Sequence, residues 1–217
     1  GRLAAVEARA ARRLASRFAM PLSTVLLTAA ALLVAVSAGR DELVVLTEAP
    51  HRRPADLADL VAPLTGRIAV PVRWSAGTSL AELLVDVDRA VAAPANPDDP
   101  TGTDAAGPAP VLIQTEPTVP VAASTLFRAD WPESLGRARA TRAAPLPFAQ
   151  HWLFTPATEH IDYVIDYDPD LVDGGTLDRL VGALRAVVRS GAVAPQRAVT
   201  ELVPALPPPP GAAAPPR

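Results

Sequence analysis

Apolar residues recur at helical spacing near the start of the chain and then fill an uncharged segment. Over residues 3–18, apolar side chains fall three or four positions apart and arginines take the other face, which predicts an amphipathic helix. The side chains expected to face the core are Leu3, Val6, Ala10, Leu14 and Phe18. A second helix is predicted from about Pro21, whose missing N–H is not needed in a first turn, to about Ala38, with Gly39 as its stop.

The second predicted helix is apolar enough to raise the question of a membrane span. Residues 20–39 contain no charge, and Arg12, Arg13 and Arg17 precede them like a cytoplasmic flank. However, alanine and small polar residues, which insert only weakly, dominate the segment, and no Trp or Tyr flanks it. These features favour a buried core helix over a membrane span, and the strand-like run that follows disfavours a signal peptide.

Strands alternate with shorter helices after this pair. Residues 42–47 are largely apolar with β-branched side chains, as in a buried strand. An Arg-bearing turn between Pro50 and Pro54 and a short acidic helix over 56–61 lead to a second strand over 67–74, whose alternate residues are apolar.

A third helix is predicted over the segment that ends near residue 93. Thr78 or Ser79 can cap its N-terminus, and Glu82 stands at the spacing of a capping box. Its apolar stripe consists of Leu80, Leu83, Leu84, Val87 and Val91.

The second half of the chain begins with a flexible loop rich in Pro, Gly and Asp at about 92–110. Short strands are predicted at 111–115 and 121–127, and a hairpin joins strands at 148–154 and 160–167. The buried side of the last strand stays open, because Ile161, Tyr163, Val164 and Ile165 compete for it.

A final helix is predicted from a cap at Thr176 to about Ser190. Its inward side chains are Leu177, Leu180, Val181, Leu184 and Val188. The order of elements predicts an α/β fold in which helices cover one face of a mixed sheet. Residues 1–203 are expected to form this domain, and the Pro-rich residues 204–217 a tail or linker.

Composition narrows the function classes. The formal net charge is -3 and all 20 basic residues are arginine, which indicates genomic codon bias more than a basic surface. Nucleic acid is therefore not an expected partner. The lack of Cys excludes disulfides and thiolate chemistry and fits a cytoplasmic protein. Because helical patterning begins at residue 3 and the first residue is Gly1, we expect a fragment of a larger polypeptide.

Residues that could carry catalysis are few and scattered. His51, His151 and His160 lack the spacing of a helical metal pair, so zinc chemistry is not expected. The chain has no G-x-S-x-G elbow, phosphate-binding glycine loop or dinucleotide fingerprint. Four acids at even spacings predict a solvated strand face or, alternatively, a divalent-cation cluster. These acids are Asp162, Asp166, Asp168 and Asp170.

Two segments resemble the C-terminal half of a nonribosomal peptide synthetase condensation domain. In that family, a helix pair like ARRLASRFAMPLSTVLLTAAALLVAVSAGRDELVV precedes an Arg-containing turn and the pattern (I/V)GxFVNTxxxR. Near the end, HIDYVIDYDPDLVDGGTLDRLVGALRAVV is similar to the family's strand, YDxxLF turn and helix. The resemblance covers residues 1–89 and 148–191.

The chain also departs from the family pattern. With Val61 as the first position, the substitutions are Ala62 for Gly, Leu64 for Phe and Gly66-Arg67 for Asn-Thr. Arg73 falls two residues late, and the (H/N)QDxPFE motif expected near 92–110 is missing. The family's catalytic HHxxxDG motif belongs to the N-terminal half, and this chain has no adjacent histidine pair.

The resemblance implies both architecture and function. A complete condensation domain is a V-shaped pair of chloramphenicol acetyltransferase-like subdomains, and carrier-bound thioesters meet in the tunnel between them to form an amide. This chain is expected to be one such half, to supply one tunnel wall, and to be inactive alone. The implied partners are the N-terminal subdomain and carrier proteins that present phosphopantetheine, with no directly bound cofactor and no membrane partner.

The resemblance also suggests site residues. Those placed at the tunnel or at the contact between subdomains are Arg52, Gly66, Arg67 and Arg73, with no catalytic residue or metal ligand in this half. A surface position in the turn is the alternative for Arg52. A noncatalytic condensation-like module that docks or recruits other proteins is the alternative function, which the altered pattern at 61–67 and the missing PFE motif favour.

Overall fold

A mixed sheet with helices runs through the part of the chain that the structure describes. This computed structural model describes residues 1–50, 65–93, 111–116 and 148–203. The strands are β1 (Arg2–Leu3), β2 (Glu42–Pro50), β3 (Thr65–Arg73), β4 (Val111–Thr115), β5 (Gln150–Pro156) and β6 (Ile161–Tyr167). The helices are α1 (Ala5–Arg17), α2 (Leu22–Ser37), α3 (Leu80–Ala92), α4 (Gly174–Val193) and α5 (Val199–Leu202).

The strands lie in the order β1-β6-β5-β4-β2-β3. β4 pairs in parallel with both β2 and β5, whereas the remaining pairs are antiparallel. β5 and β6 form the predicted hairpin. Pro71 lies in β3, at the edge of these described strands, where a residue without an N–H is tolerated. The prediction of an α/β fold with a mixed sheet is confirmed.

The two faces of the sheet differ because side chains alternate along each strand. Val45, Val70, Trp152 and Phe154 point to one face and are buried in the core that α1 to α4 help to form. We call this the helix face. The residues between them point the other way and form the second face, on which none of the described helices packs.

The apolar helix α2 lies in the core, as predicted. It contacts α1, α3 and α4 as well as β2, β3 and β4. Its polar side chains are paired: Thr28 donates to the carbonyl of Thr24 at 2.8 Å, and Thr24 donates to Asp88 at 3.2 Å. Within the described ranges, no single helix has the length and hydropathy to cross a membrane. Taken together, α1 and α2 have the length and composition of a span, but the chain bends by 112° between them.

The residues that begin and end the helices are as predicted, except at the last helix. Ser79 caps α3 through a capping box with Glu82. Gly39 ends α2 in the left-handed region, with φ of 65°. The prediction that Thr176 caps the last helix is wrong, because Asp173 is the cap and its side chain accepts a hydrogen bond from the Thr176 N–H at 2.9 Å.

The first helix buries the predicted side chains with one exception. Ala10 and Leu14 are buried and Phe18 packs against the core, as predicted. Leu3 is also buried, although it lies in β1, which was not predicted, and Val6 is 49% exposed. The buried residues of α1 are Glu7, Ala8, Ala10, Ala11, Leu14 and Ala15. Alanine allows α1 to approach α4 closely, so small side chains rather than the most hydrophobic ones line this contact.

The other apolar stripes are confirmed. In α3, Leu80, Leu83, Leu84 and Val87 are buried and Val91 packs against the core. In α4, all five predicted inward side chains are buried. Ile161, Tyr163 and Ile165 take the core side of β6, and Val164 is exposed. The predicted helix over 56–61, the strand over 121–127, His51, nearly all of the loop over 92–110 and the tail over 204–217 lie outside the described residues.

Two glycines of α4 are expected to respond in opposite directions to alanine. A methyl group at Gly191 would stand 2.2 Å from Cδ2 of the buried Leu80, whereas nothing lies within 4 Å of one at Gly182. We expect Gly191→Ala to lower the free energy of unfolding by about 1–3 kcal/mol through overpacking. Gly182→Ala should raise it by about 0.5–1 kcal/mol, because alanine favours the helix. Urea unfolding measures both, and equal signs would contradict this contact.

Candidate functional site

A row of residues crosses the second face from one strand to the next. The pairing of the strands places Ala69 beside Leu46, Leu46 beside Leu112, Leu112 beside His151, and His151 beside Asp166. Leu46 and Leu112 pack with Phe148, which precedes β5, to form a small apolar cluster separate from the main core. The row therefore changes from apolar at β2, β3 and β4 to ionisable at β5 and β6.

Arg67 covers the apolar cluster. Its guanidinium carbon lies 5.0 Å from the centre of the Phe148 ring, which is the geometry of a cation–π contact. Phe148 is buried and Arg67 is exposed, so the contact holds an arginine over an apolar surface while its outer N–H groups stay accessible. An arginine held in this way can bind a carboxylate, a phosphate or an amide oxygen.

A partly buried histidine connects three strands next to this cluster. His151 is 13% exposed, and its Nε2 hydrogen bonds to Oε1 of Gln114 on β4. Its Nδ1 lies 3.7 Å from the Asp166 carboxylate on β6. Phe148 is also near, with its ring centre 6.4 Å from that of His151. Gln114 and Asp166 therefore lie at the two ring nitrogens of His151.

A second ionic group lies toward the β1 edge. Arg2 donates through Nε to Asp162 at 2.7 Å, and Nε2 of His160 lies 3.1 Å from the same carboxylate. The hydrogen bond from Arg2 is the main cause that lowers the pKa of Asp162, with His160 adding to it, while partial burial opposes the shift. These contacts attach β1 to β6.

The structure brings two of the predicted site residues to one face. Arg67 and Arg73 both point to the second face of β3, and Arg73 pairs with Glu42 at 2.6 Å. They are six positions apart along the strand, about 20 Å, so they cannot hold the same small group. Gly66 pairs with Ala49 in the backbone of the sheet. Arg52 lies outside the described residues.

Sequence reasoning did not find the contacts around Phe148 and His151. Phe148 was predicted only as part of a strand, and His151 only as a histidine without metal spacing. Their roles depend on the register that sets His151 opposite Asp166 and on the parallel pairing with β4. The even spacing of the aspartates gave a partial signal, because it placed Asp162 and Asp166 on one side of β6.

The cation-cluster alternative for the aspartates has no support in the described ranges. Asp162 bonds to Arg2 and His160, and Asp166 faces His151. Asp168 belongs to the turn after β6, where it accepts from the N–H of Asp170 at 2.9 Å. Among the described side chains, no three of His, Asp or Glu converge as metal ligands do.

Comparison with known proteins identifies the architecture. No family model and no curated protein sequence matches the chain. Among solved structures, it matches the first condensation domain of the CDA synthetase with a TM-score of 0.68 at 16% identity, covering 95% of this chain and 47% of that one. It also matches the X-domain from teicoplanin biosynthesis, with a TM-score of 0.69 at 19% identity, covering 94% and 48% respectively.

The fold is that of a condensation domain. The predicted resemblance is thus confirmed at the level of the fold, and the chain spans about half the length of the condensation domains that it matches. A third matching structure, with a TM-score of 0.61 at 18% identity over 93% of this chain and 46% of that one, is a complex of the X-domain and OxyB. The condensation fold therefore occurs bound to another protein.

The contact between Arg67 and Phe148 predicts a measurable coupling. In a double-mutant cycle of Arg67→Ala and Phe148→Leu, we expect a coupling energy of about 0.5–1 kcal/mol in the free energy of unfolding. The exposed pair of Arg73 and Glu42 provides a control cycle, and its coupling should vanish at about 1 M salt, where exposed charges are screened. A zero coupling for the first cycle would show that Arg67 does not rest on the ring.

The pair of Arg2 and Asp162 predicts a pH effect with a defined sign. Because the pKa of Asp162 is lower in the folded state, the pair stabilises the fold above about pH 4, near the unfolded pKa, and this contribution is lost as pH falls through the folded pKa. A carbon-13 NMR titration of the Asp162 carboxyl should give a midpoint that rises in Arg2→Ala. Arg40→Ala, at the turn after α2, should leave that midpoint unchanged.

Proposed function

We propose that the chain is the C-terminal half of a condensation-type domain and that its second face forms one wall of the substrate tunnel. The observation that carries this proposal is the near-complete match of the chain to about half of a condensation domain. A half domain of this kind needs a surface for its complement, and the second face offers apolar, cationic and imidazole groups that the main core does not use.

The composition of the second face supports a role at an interface. Val44 on β2 is an apolar side chain of this face that is 47% exposed, and arginine and acidic residues lie around it. This arrangement resembles the apolar centre and polar rim of protein interfaces. Arg67 is the residue that we assign to the contact between the halves or to a carrier-bound acyl substrate, because its guanidinium is anchored at Phe148 and accessible on its outer side.

In this proposal the reaction is amide or ester formation between acyl or aminoacyl thioesters. The thioesters arrive on the phosphopantetheine arms of carrier proteins, so the arm belongs to the substrate and not to this chain. The residues described here bind and orient, and the proton transfer is assigned to the HHxxxDG half. His151 contributes to the wall through Gln114 and Asp166 and is not assigned a catalytic role.

A noncatalytic docking module is the second candidate. The match to an X-domain, and to a complex in which an X-domain binds OxyB, favours this candidate, because a domain of this fold can hold another protein. The two candidates differ in what the second face binds: a complementary half with carrier-bound substrates, or a separate protein that is recruited.

Reconstitution with the complementary half tests the first candidate. An N-terminal condensation subdomain that carries the HHxxxDG motif is expressed separately, and its affinity for this chain is measured by calorimetry. We expect Val44→Asp and Arg67→Glu each to weaken the affinity at least tenfold, because each places an unpaired carboxylate in the interface. Condensation of two loaded carrier proteins should require both halves.

Matched variants make the result specific. Val6→Asp places the same charge on α1 at a valine of similar exposure, 49%, and should leave the affinity unchanged. Binding without condensation would support the docking module, whereas no binding, or equal loss in Val6→Asp and Val44→Asp, would overturn the assignment of the second face. Thermal melts of each variant separate loss of binding from loss of folding.

A further inference from the structure

The solvent-facing side of α1 carries a line of arginines. Arg9, Arg13 and Arg17 stand four positions apart, and all three are exposed. We call them the arginine stripe. Because an α-helix turns about 100° and rises about 1.5 Å per residue, the stripe lies within an arc of about 80° and is about 12 Å long. The buried residues of α1 occupy the opposite side, so the stripe points away from the core.

The arginine stripe has no carboxylate partner within the part of the chain that the structure describes. The ion pairs of arginine there belong to Arg2, Arg73, Arg89, Arg189 and Arg197. Glu7, the only acid of α1, is buried on the other side of the helix and lies 3.7 Å from Arg189 of α4. The guanidinium groups of the stripe therefore present their N–H donors to solvent.

The stripe costs α1 stability and opposes the charge of the whole chain. Like charges four positions apart on a helix repel each other, and the stripe contains two such pairs. The chain has a formal net charge of -3, so the stripe is a local reversal of sign. Binding of an anionic surface relieves this repulsion. The charge complement of the stripe is a set of carboxylates at the same spacing of about 6 Å.

We propose that the arginine stripe is a docking site for an acidic helix of another protein, whose carboxylates stand four positions apart along one side. A helix of this kind has the same spacing as the stripe, so each guanidinium can bind one carboxylate through two N–H groups. Val6 lies on the same side of α1, next to Arg9, and is 49% exposed. It gives the partner helix an apolar contact at one end of the stripe.

Other anionic partners fit the stripe less well. A helix binds a membrane surface through its apolar face, and the apolar face of α1 is buried in the core. A nucleic acid carries negative charge far beyond the length of the stripe, and an acidic chain repels it. A short line of carboxylates on a protein meets neither obstacle.

Titration with a defined peptide tests the proposal on the full 217-residue chain. The probe is five repeats of Glu-Ala-Ala-Ala, capped at both ends, and five repeats of Gln-Ala-Ala-Ala are the neutral control. In nitrogen-15 NMR spectra, we expect the acidic peptide to shift amides mainly within residues 6–18 and the neutral peptide to shift none. The affinity should fall at least fivefold between about 50 mM and about 500 mM salt, because exposed charges are screened.

Charge reversal then locates the site. Arg13→Glu should weaken the affinity at least tenfold, because it places a like charge against the peptide. Arg40→Glu, which reverses an exposed arginine at the turn after α2, should change it less than twofold. With all three arginines of the stripe replaced by glutamate, the variant should bind five repeats of Lys-Ala-Ala-Ala instead, and circular dichroism should show that it remains folded.

Four results would overturn the proposal. They are equal losses in Arg13→Glu and Arg40→Glu, amide shifts mainly outside residues 6–18, no binding of the acidic peptide at about 1 mM, and tighter binding to a DNA duplex or to phosphatidylserine vesicles than to the peptide. The inference does not depend on the proposed function of the second face.

Discussion

The burial of α2 is the constraint on which the rest of the fold depends. Because α2 has no charged side chain on any face, its residues 24–35 are all buried, and other elements must surround them. α1, α3 and α4 supply part of that environment and β2, β3 and β4 supply the remainder. The many alanines of α1 and α2 let the helices approach closely, and the threonines of α2 avoid the cost of burial by bonding within the helix and to Asp88.

Complete burial of α2 also decides where chemistry can occur. The helix face of the sheet is filled by the core, so within the described residues a partner can bind at the second face or at the outer surfaces of the helices. Because side chains alternate along a strand, every second residue in each strand from β2 through β6 points to the second face, whatever its polarity. This is why Arg67 on β3 reaches Phe148 beside β5, and why His151 faces Asp166 across the β5–β6 hairpin.

The similarity to condensation domains and the structure of the second face lead to the same picture. A chain that fills about half of the matched domains presents one surface on which apolar and ionisable residues adjoin.

The sequence by itself determined the helices, most of the strands and the fold class, because helical stripes, capping residues and strand alternation are local patterns. It failed at Leu3 and Val6 for reasons that are not local, and at Thr176 because a second capping residue stands three positions earlier. Leu3 pairs with Ile161 of β6, 158 residues later. Val6 is exposed because alanines, which permit close helix contact, form the buried side of α1. Asp173, which precedes two glycines, caps the last helix in place of Thr176. Tertiary structure alone decided that Arg67 rests on Phe148 and that His151 faces Asp166 and Gln114, because strand register and parallel pairing join residues that no local pattern relates.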